Sequence, residues 1–377
     1  MKIPLLGNIG AIDEGTSGLL RRIKLDPPLL LVLLVTSGFG LVILYSAGRQ
    51  NLDLVLRQGM RLGLGFVLMV VLAQLPPQRL RGWTPWIYLA GTALLVAVDM
   101  VGYIGKGAQR WLDLGFIRFQ PSEIMKVAVP MMMAWYFADK PLPPRWPHLI
   151  IGTVITLAPV VLILGQPDLG TALLVFCSGA FALFLGGLSW RIIFALIGAF
   201  AAIAPLFWTF VMHDYQRQRV LTFLDPETDP LGTGYHIIQS KIAIGSGGIY
   251  GKGWLHGSQG YLQFLPESST DFIFAVFAEE FGLFGVGLLL TLYLAIICRS
   301  LYIAAQAQDT YSRLLGGSLA LIFFVYAFVN TGMVSGLLPV VGVPLPLISY
   351  GGTSLVTIMA SFGILMSIRA HRKRLSH

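Results

Sequence analysis

Asp271 lies in the run Pro266-Glu267-Ser268-Ser269-Thr270-Asp271-Phe272-Ile273-Phe274-Ala275, where a polar stretch gives way to a long apolar one. A carboxylate at the mouth of a membrane segment is costly unless it has a partner, water or chemical work to do. Held in place beside a reacting hydroxyl, such a group acts as a general base. Glu123 and Lys126 are three residues apart and would share one face of a helix. Opposite charges at that spacing can pair. The pair either neutralises itself so that the span can insert, or marks a polar site facing a cavity. Arg110 precedes Trp111. It reads as an interfacial arginine beside a belt tryptophan or as a cation reaching the same outer vestibule.

Asp168 follows Gln166-Pro167 and fits helix N-terminal chemistry as well as it fits a cavity wall. Glu279 and Glu280 fall two turns beyond Asp271, and the eight-residue spacing from Asp271 to Glu279 would put both on one face. Such a polar stripe implies a hydrated groove or contact with another span. The six histidines are scattered, none paired at helical spacing, which argues against a zinc hydrolase. No Ser-His-Asp arrangement can be read.

The elements that must hold these groups are set by composition. Of 377 residues, 55% are hydrophobic and only 12% charged, and the mean hydropathy is +0.75. Soluble domains carry about 25% charged residues, so this chain belongs in lipid. Its 43 glycines and 21 prolines fit that solvent. The net charge of +8 is spread along short loops and forms no basic stripe, which excludes nucleic-acid binding. Cys177 and Cys298 fall in or at the end of apolar spans and form no paired motif.

Ten apolar segments are long enough to cross a bilayer: 29–47, 57–75, 85–102, 121–138, 148–165, 168–187, 190–212, 271–298, 314–338 and 349–369. The predicted fold class is all-α, a polytopic membrane protein with ten transmembrane helices. Residues 1–28 form an N-terminal segment, 29–369 the membrane domain and 370–377 a tail. The first apolar run is too long for a signal peptide and reads as a retained anchor. Arg21, Arg22, Lys24, Arg79, Arg81, Lys140, Arg145, Arg191, Arg299, Arg313, Arg369, Arg372, Lys373 and Arg374 all fall on one side of that topology. The positive-inside rule makes that side cytoplasmic, with both termini on it. The large 213–270 loop between helices 7 and 8, and Asp271 after it, are then extracytoplasmic.

Lys241, Arg217, Arg219 and Lys252 are cations on that outer side. They hint at an anionic ligand such as a diphosphate lipid, although Arg217 and Arg219 serve equally well as a solvated loop face. Residues 235–244 read as a short helix with Ile238 and Ile242 on one face and Gly245 as its C-cap. The glycine run from Gly245 to Gly253 fails as a phosphate loop, because Ser246 takes the first glycine position and Gly253 follows Lys252. Three prolines between Leu338 and Ile348 rule out a regular helix there and predict an irregular segment packed against protein. No internal repeat is evident.

Several blocks together resemble the SEDS family (shape, elongation, division and sporulation). They are Arg110-Trp111-Leu112, Phe119-Gln120-Pro121-Ser122-Glu123-Ile124-Met125-Lys126, Gln166-Pro167-Asp168-Leu169-Gly170-Thr171, Gly234-Tyr235-His236-Ile237-Ile238-Gln239-Ser240-Lys241, Phe264-Leu265-Pro266-Glu267 with Thr270-Asp271-Phe272, and Pro344 through Ser354. They occur in order across residues 30–370. The stretch Asn330 through Pro344 looks like the elongation branch rather than the division branch. Ser268-Ser269 replaces the bulkier residues of many relatives, a change expected to tune the loop only.

That resemblance implies a peptidoglycan glycosyltransferase. It would polymerise lipid II beside a class B penicillin-binding protein and other elongation-complex membrane proteins. Asp271 would take the proton from the acceptor sugar hydroxyl, with inversion at the donor and departure of undecaprenyl diphosphate. Lys126, Arg110 and Lys241 would steady the diphosphate, with a divalent cation, magnesium or manganese, as a candidate helper. Glu123 would orient Lys126, and Asp168 would hold the acceptor or stiffen the cavity. A lipid II flippase and a pure scaffold are the competing readings.

Overall fold

The computed structural model describes residues 24–105, 108–113, 118–210, 212, 214–228, 232–257 and 267–372. Expectations for Arg21, Arg22, Lys373 and Arg374 and for most of the two terminal segments lie outside them. The chain is mostly helical. In order it forms α1 (Pro27–Ala47), α2 (Leu52–Gln74), α3 (Pro77–Val101), a short ribbon, α4 (Pro121–Phe137), α5 (Trp146–Gly165), α6 (Leu169–Leu185) and α7 (Trp190–Phe210). Then follow α8 (Asp214–Leu224), a 3-10 turn, α9 (Thr233–Gly247), α10 (Ile273–Ala305), α11 (Thr310–Val334) and α12 (Thr353–Ala370).

Each predicted apolar segment falls on one helix of this series. Seven of the helices, α1, α2, α3, α5, α10, α11 and α12, are long and apolar enough to cross a membrane. Many large apolar side chains on their outer faces are exposed, among them Leu31, Leu56, Leu64, Val67 and Leu283. In water such faces would aggregate. In lipid they are the ordinary surface of an integral membrane protein.

Helix starts follow cap chemistry rather than hydropathy. Asp26 caps α1 by accepting from the Leu29 N–H at 3.0 Å, and Asp309 caps α11 through Ser312 N–H at 2.9 Å. α2 begins at Leu52, five residues before the predicted start, because Asn51 accepts from the Leu54 N–H.

Two expectations are corrected. The all-α class omits a small antiparallel ribbon, β1 (Tyr103–Gly105), β2 (Ala108–Asp113) and β3 (Arg118–Phe119). The predicted 235–244 helix runs on to Gly247, and its capping glycine is Gly248, whose φ of 55° suits glycine. Its buried face carries Ile237, Ser240 and Ala243, while Ile242 is exposed.

α11 is the most buried of the seven spanning-type helices. Small residues let its neighbours approach: a Cβ added at Gly316 would sit 3.1 Å from Ala304 Cβ, and one at Gly317 2.5 Å from a Leu185 methyl. At one end of the bundle, Asp26 accepts from Arg299 at 3.2 and 3.1 Å and pairs with Arg369, while Lys24 Nζ lies 2.9 Å from His371 Nε2. The starts of α1 and the ends of α10 and α12 are joined there. Asp271 lies at the other end of α10.

α10 is interrupted at Gly282, which has φ 62° and ψ −164°. The glycine-rich loop after α9 fills the break. Lys252 and Gly253 N–H groups donate to the Glu279 and Glu280 carbonyls, each at 3.0 Å. Leu283 and Phe284 N–H groups donate to the Gly248 and Ile249 carbonyls, also at 3.0 Å. The four backbone groups that the break would orphan are thus satisfied by one loop. The close approach leaves no room for side chains: an added Cβ at Gly282 would lie 2.3 Å from Gly251 N.

Candidate active site

The turn Glu267–Phe272 carries Asp271 in front of α10. Thr270 and Phe272 N–H groups both donate to the Glu267 carbonyl, and the Thr270 hydroxyl reaches the Glu267 carboxylate at 2.7 Å. Ser268 is buried and donates to the Ala47 carbonyl at 3.2 Å, tying the turn to the end of α1. Asp271 itself is partly exposed. Its Oδ2 faces the backbone of Gly342, where an added Cβ would stand 3.5 Å away.

Gly342 belongs to the proline-rich stretch between α11 and α12. As expected, this stretch has no regular helix, and Val343, Leu345, Leu347 and Ile348 are buried. Side chains stitch its backbone down. Tyr293 donates to the Pro346 carbonyl at 2.7 Å, and Gln58 donates to the Ser349 carbonyl at 3.1 Å. Ser349 Oγ accepts from the Leu345 N–H at 2.8 Å and donates to the Thr270 carbonyl at 2.6 Å. Tyr350 N–H donates to the Ser269 carbonyl at 2.9 Å. The amide of Asn330 donates to both the Asp271 and Val343 carbonyls, at 2.9 and 2.7 Å.

Asp168 caps α6 by accepting from the Thr171 N–H at 3.1 Å, and it also accepts from Gln120 at 2.8 Å. Arg110, on β2, donates to the Gln166 carbonyl at 3.1 Å and to that of Pro167. The two residues form one cluster that fixes the entry to α6. Gly170 brings this cluster to the proline-rich stretch, since a Cβ there would lie 2.6 Å from the Val341 carbonyl. Lys241, on α9, lies against Gly336 just past the end of α11; an added Cβ would be 2.8 Å from its Nζ. Nearby, Ser240 donates to the Val334 carbonyl at 2.8 Å, and His236 packs on Phe272 with centroids 5.6 Å apart. α9 therefore spans the end of α11 and the start of α10.

Glu123 and Lys126 form a buried pair at 2.7 Å, with side-chain exposures of 6% and 5%. Thr357 on α12 donates to the second Glu123 oxygen at 3.0 Å, and Lys126 Nζ lies 5.1 Å from the centre of the Tyr326 ring. A small hollow of about 20 Å³ opens beside the pair, lined by Phe323, Tyr326, Thr357, Ile358 and Ser361 among others. The pair and Asp271 both touch α11, the first through Tyr326 and the second through Asn330.

The expected stripe from Asp271 to Glu279 is not one face of a helix, because Asp271 precedes the N-cap Phe272. Glu279, fully buried, pairs with Lys252 at 2.6 Å, and Glu280 accepts from Ser46 of α1. Both acids serve contacts with other elements. Among the described residues, no group of three or more His, Cys, Asp or Glu comes together as a metal site. Sequence reasoning missed Asn330, Ser349, Gln58, Tyr326 and Thr357. The available signal was a polar residue inside an apolar run, and Asn330 shows it plainly.

A helical integral-membrane bundle with this arrangement has known counterparts. Residues 27–374 match the family model for the cell cycle proteins FtsW, RodA and SpoVE. The chain is 57% identical over 355 residues to the peptidoglycan glycosyltransferase MrdB of Escherichia coli strain K12, covering 94% of this chain and 96% of that protein. It is 39% identical to MrdB of Helicobacter pylori over 85% of this chain and 84% of that protein. Its fold superimposes on the crystal structure of Thermus thermophilus RodA with a TM-score of 0.71 and 31% identity, covering 93% and 98% of the two chains. A chain from a peptidoglycan synthase complex matches with a TM-score of 0.80 and 35% identity, covering 93% and 99%. The chain belongs to the FtsW/RodA/SpoVE family.

Proposed function

We propose that Asp271 is the general base of a glycosyl transfer carried out at the extracytoplasmic mouth of this bundle. The activity follows from the family and from 57% identity across nearly the whole chain to a named peptidoglycan glycosyltransferase. The chain is a peptidoglycan glycosyltransferase. In this reading it joins lipid II units into glycan strands for cell elongation. Asp271 takes the proton from the acceptor hydroxyl as that oxygen attacks the donor's anomeric carbon. The configuration inverts and undecaprenyl diphosphate departs. A base so placed contributes about 10²–10⁴ in rate.

The observation that carries the reading is the setting of Asp271. A partly exposed carboxylate ends a turn whose backbone is held by buried side chains from α11 and from the proline-rich stretch. Rigid support of one accessible acid is what proton abstraction in a fixed geometry requires. The cations Lys126, Arg110 and Lys241 are assigned to the departing diphosphate, where growing negative charge rewards fixed positive charge. Glu123 keeps Lys126 charged and oriented, and Asp168 stiffens the acceptor side. A magnesium or manganese ion as helper would supply further charge neutralisation at the departing diphosphate. Residues 29–369 act as one membrane domain with both ends cytoplasmic. The outward site would meet lipid II and a class B penicillin-binding protein, in line with the likeness to a synthase-complex chain.

Purified chain, with and without its transpeptidase partner, is given labelled lipid II alongside the Asp271→Asn variant. Glycan made by the wild type and not by the variant is the expected result. Undiminished polymerisation by Asp271→Asn removes the base assignment. Movement of lipid II across vesicles with no glycan at all replaces the enzyme with a flippase.

A further inference from the structure

Asn330 is completely buried near the end of α11, in a mostly apolar stretch. A buried amide is costly unless its hydrogens find acceptors. Here both hydrogens of one nitrogen are used. One goes to the carbonyl of Asp271 at 2.9 Å and the other to the carbonyl of Val343 at 2.7 Å. These carbonyls belong to the two segments that meet at the Asp271 carboxylate, because Gly342 is the residue that faces its Oδ2. From the other side, Ser349 donates to the Thr270 carbonyl at 2.6 Å while accepting from the Leu345 N–H at 2.8 Å. The backbone bearing the acid is gripped at two successive carbonyls by two side chains.

We infer that Asn330, with Ser349 opposite, is a positioning residue for the transfer reaction: it locks Asp271 to the 341–343 backbone so that the carboxylate holds one direction. The inference rests on the reading of Asp271 as the base. The residue type is demanding. Two donors on a single atom are available from a primary amide, whereas a carboxylic acid offers at most one and leucine, of similar size, offers none. Loss of either bond loosens the join between the two segments, and a shift of about 1 Å at a reacting group can cost on the order of 10²-fold.

The test is steady-state polymerisation of fluorescent lipid II by full-length chain in complex with its transpeptidase partner. Asn330→Leu, Asn330→Asp and Ser349→Ala are compared with wild type for kcat, KM, thermal midpoint and co-purification of the partner. The expected result for both Asn330 variants is a fall in kcat of about 10–100-fold. KM should stay within about twofold, since substrate contacts are untouched. Ser349→Ala, which removes only a hydroxyl, should lower kcat in the same pattern by a smaller factor. A folded Asn330→Leu with wild-type kcat, or a raised KM at unchanged kcat, overturns the inference. Should the Asn330 variants fail to fold, wild-type turnover by Ser349→Ala overturns it instead. Asp271→Asn in the same assay separates the two readings. If that variant polymerises normally, the base assignment fails and positioning with it. If it is inactive while the Asn330 and Ser349 variants turn over normally, positioning alone fails.

Discussion

Tyr326 and Asn330 stand four residues apart on α11, and each touches a different half of the site. The Tyr326 ring lies 5.1 Å from Lys126 Nζ, and the Asn330 amide bonds the Asp271 carbonyl. Four residues rise about 6 Å along a helix. The Glu123–Lys126 pair and the Asp271 turn are therefore both held against one face of a single buried helix.

The Glu123–Lys126 pair can be tested for work beyond insertion. Glu123→Ala strands a buried ammonium and should cost about 3–5 kcal/mol of stability. The double change Glu123→Gln with Lys126→Met removes both charges and should recover most of that loss in thermal unfolding in detergent. It should still polymerise poorly. Wild-type glycan output from the double variant would reduce the pair to an insertion device.

Replacing Asp271 with Asn keeps the shape of the side chain and removes the base. Polymerisation should drop by about 10²–10⁴-fold. The thermal midpoint should hold, because the amide matches the carboxylate in shape and leaves the bonds of the turn's backbone and of Ser268, Thr270 and Ser349 in place. A gel assay of glycan length beside a melting curve checks both halves.

Gly282→Ala puts a methyl onto Gly251 in a left-handed conformation. Strain of this kind costs about 1–3 kcal/mol, before the clash is counted. Hydrogen exchange at the Leu283 and Phe284 amides, which bond the Gly248 and Ile249 carbonyls, should speed up first. Unchanged protection at those amides would mean that the loop does not hold the break.

Asp26 does two jobs at the opposite end of the bundle: it caps α1 and receives Arg299 and Arg369. Asp26→Asn keeps the cap and loses the charge, while Asp26→Ala loses both. The alanine variant should be less stable than the asparagine one by about 1 kcal/mol. Equal melting temperatures would dismiss the capping contribution.

Hydropathy located every apolar helix, because a bilayer rewards long apolar runs and little else. It misjudged helix starts at Leu52 and Pro77, where charged residues such as Asp53 and Arg81 lie in the helix before the apolar run. The irregular 338–348 stretch was readable from its prolines. Its stitching by Tyr293, Gln58 and Asn330 was not, since those partners are distant in sequence. Asp271, Glu123 and Lys126 stood out because charge at membrane depth is rare. Asn330 and Ser349 did not, because neutral polar residues are common in spanning helices. The Gly245–Gly253 run does not fit the phosphate-loop pattern, and its structural use became visible once Gly282 placed a break beside it.

The interruption of α10 divides that helix into two pieces with different mechanical loyalties. The piece starting at Ile273 is fastened to the loop after α9 through Lys252 and Gly253, and the remainder is held to the same loop through Leu283 and Phe284 and anchored by Arg299 to Asp26 at the far end. A pull exerted on the loop is consequently shared by both pieces at the break, and it reaches the acid-bearing turn through the first.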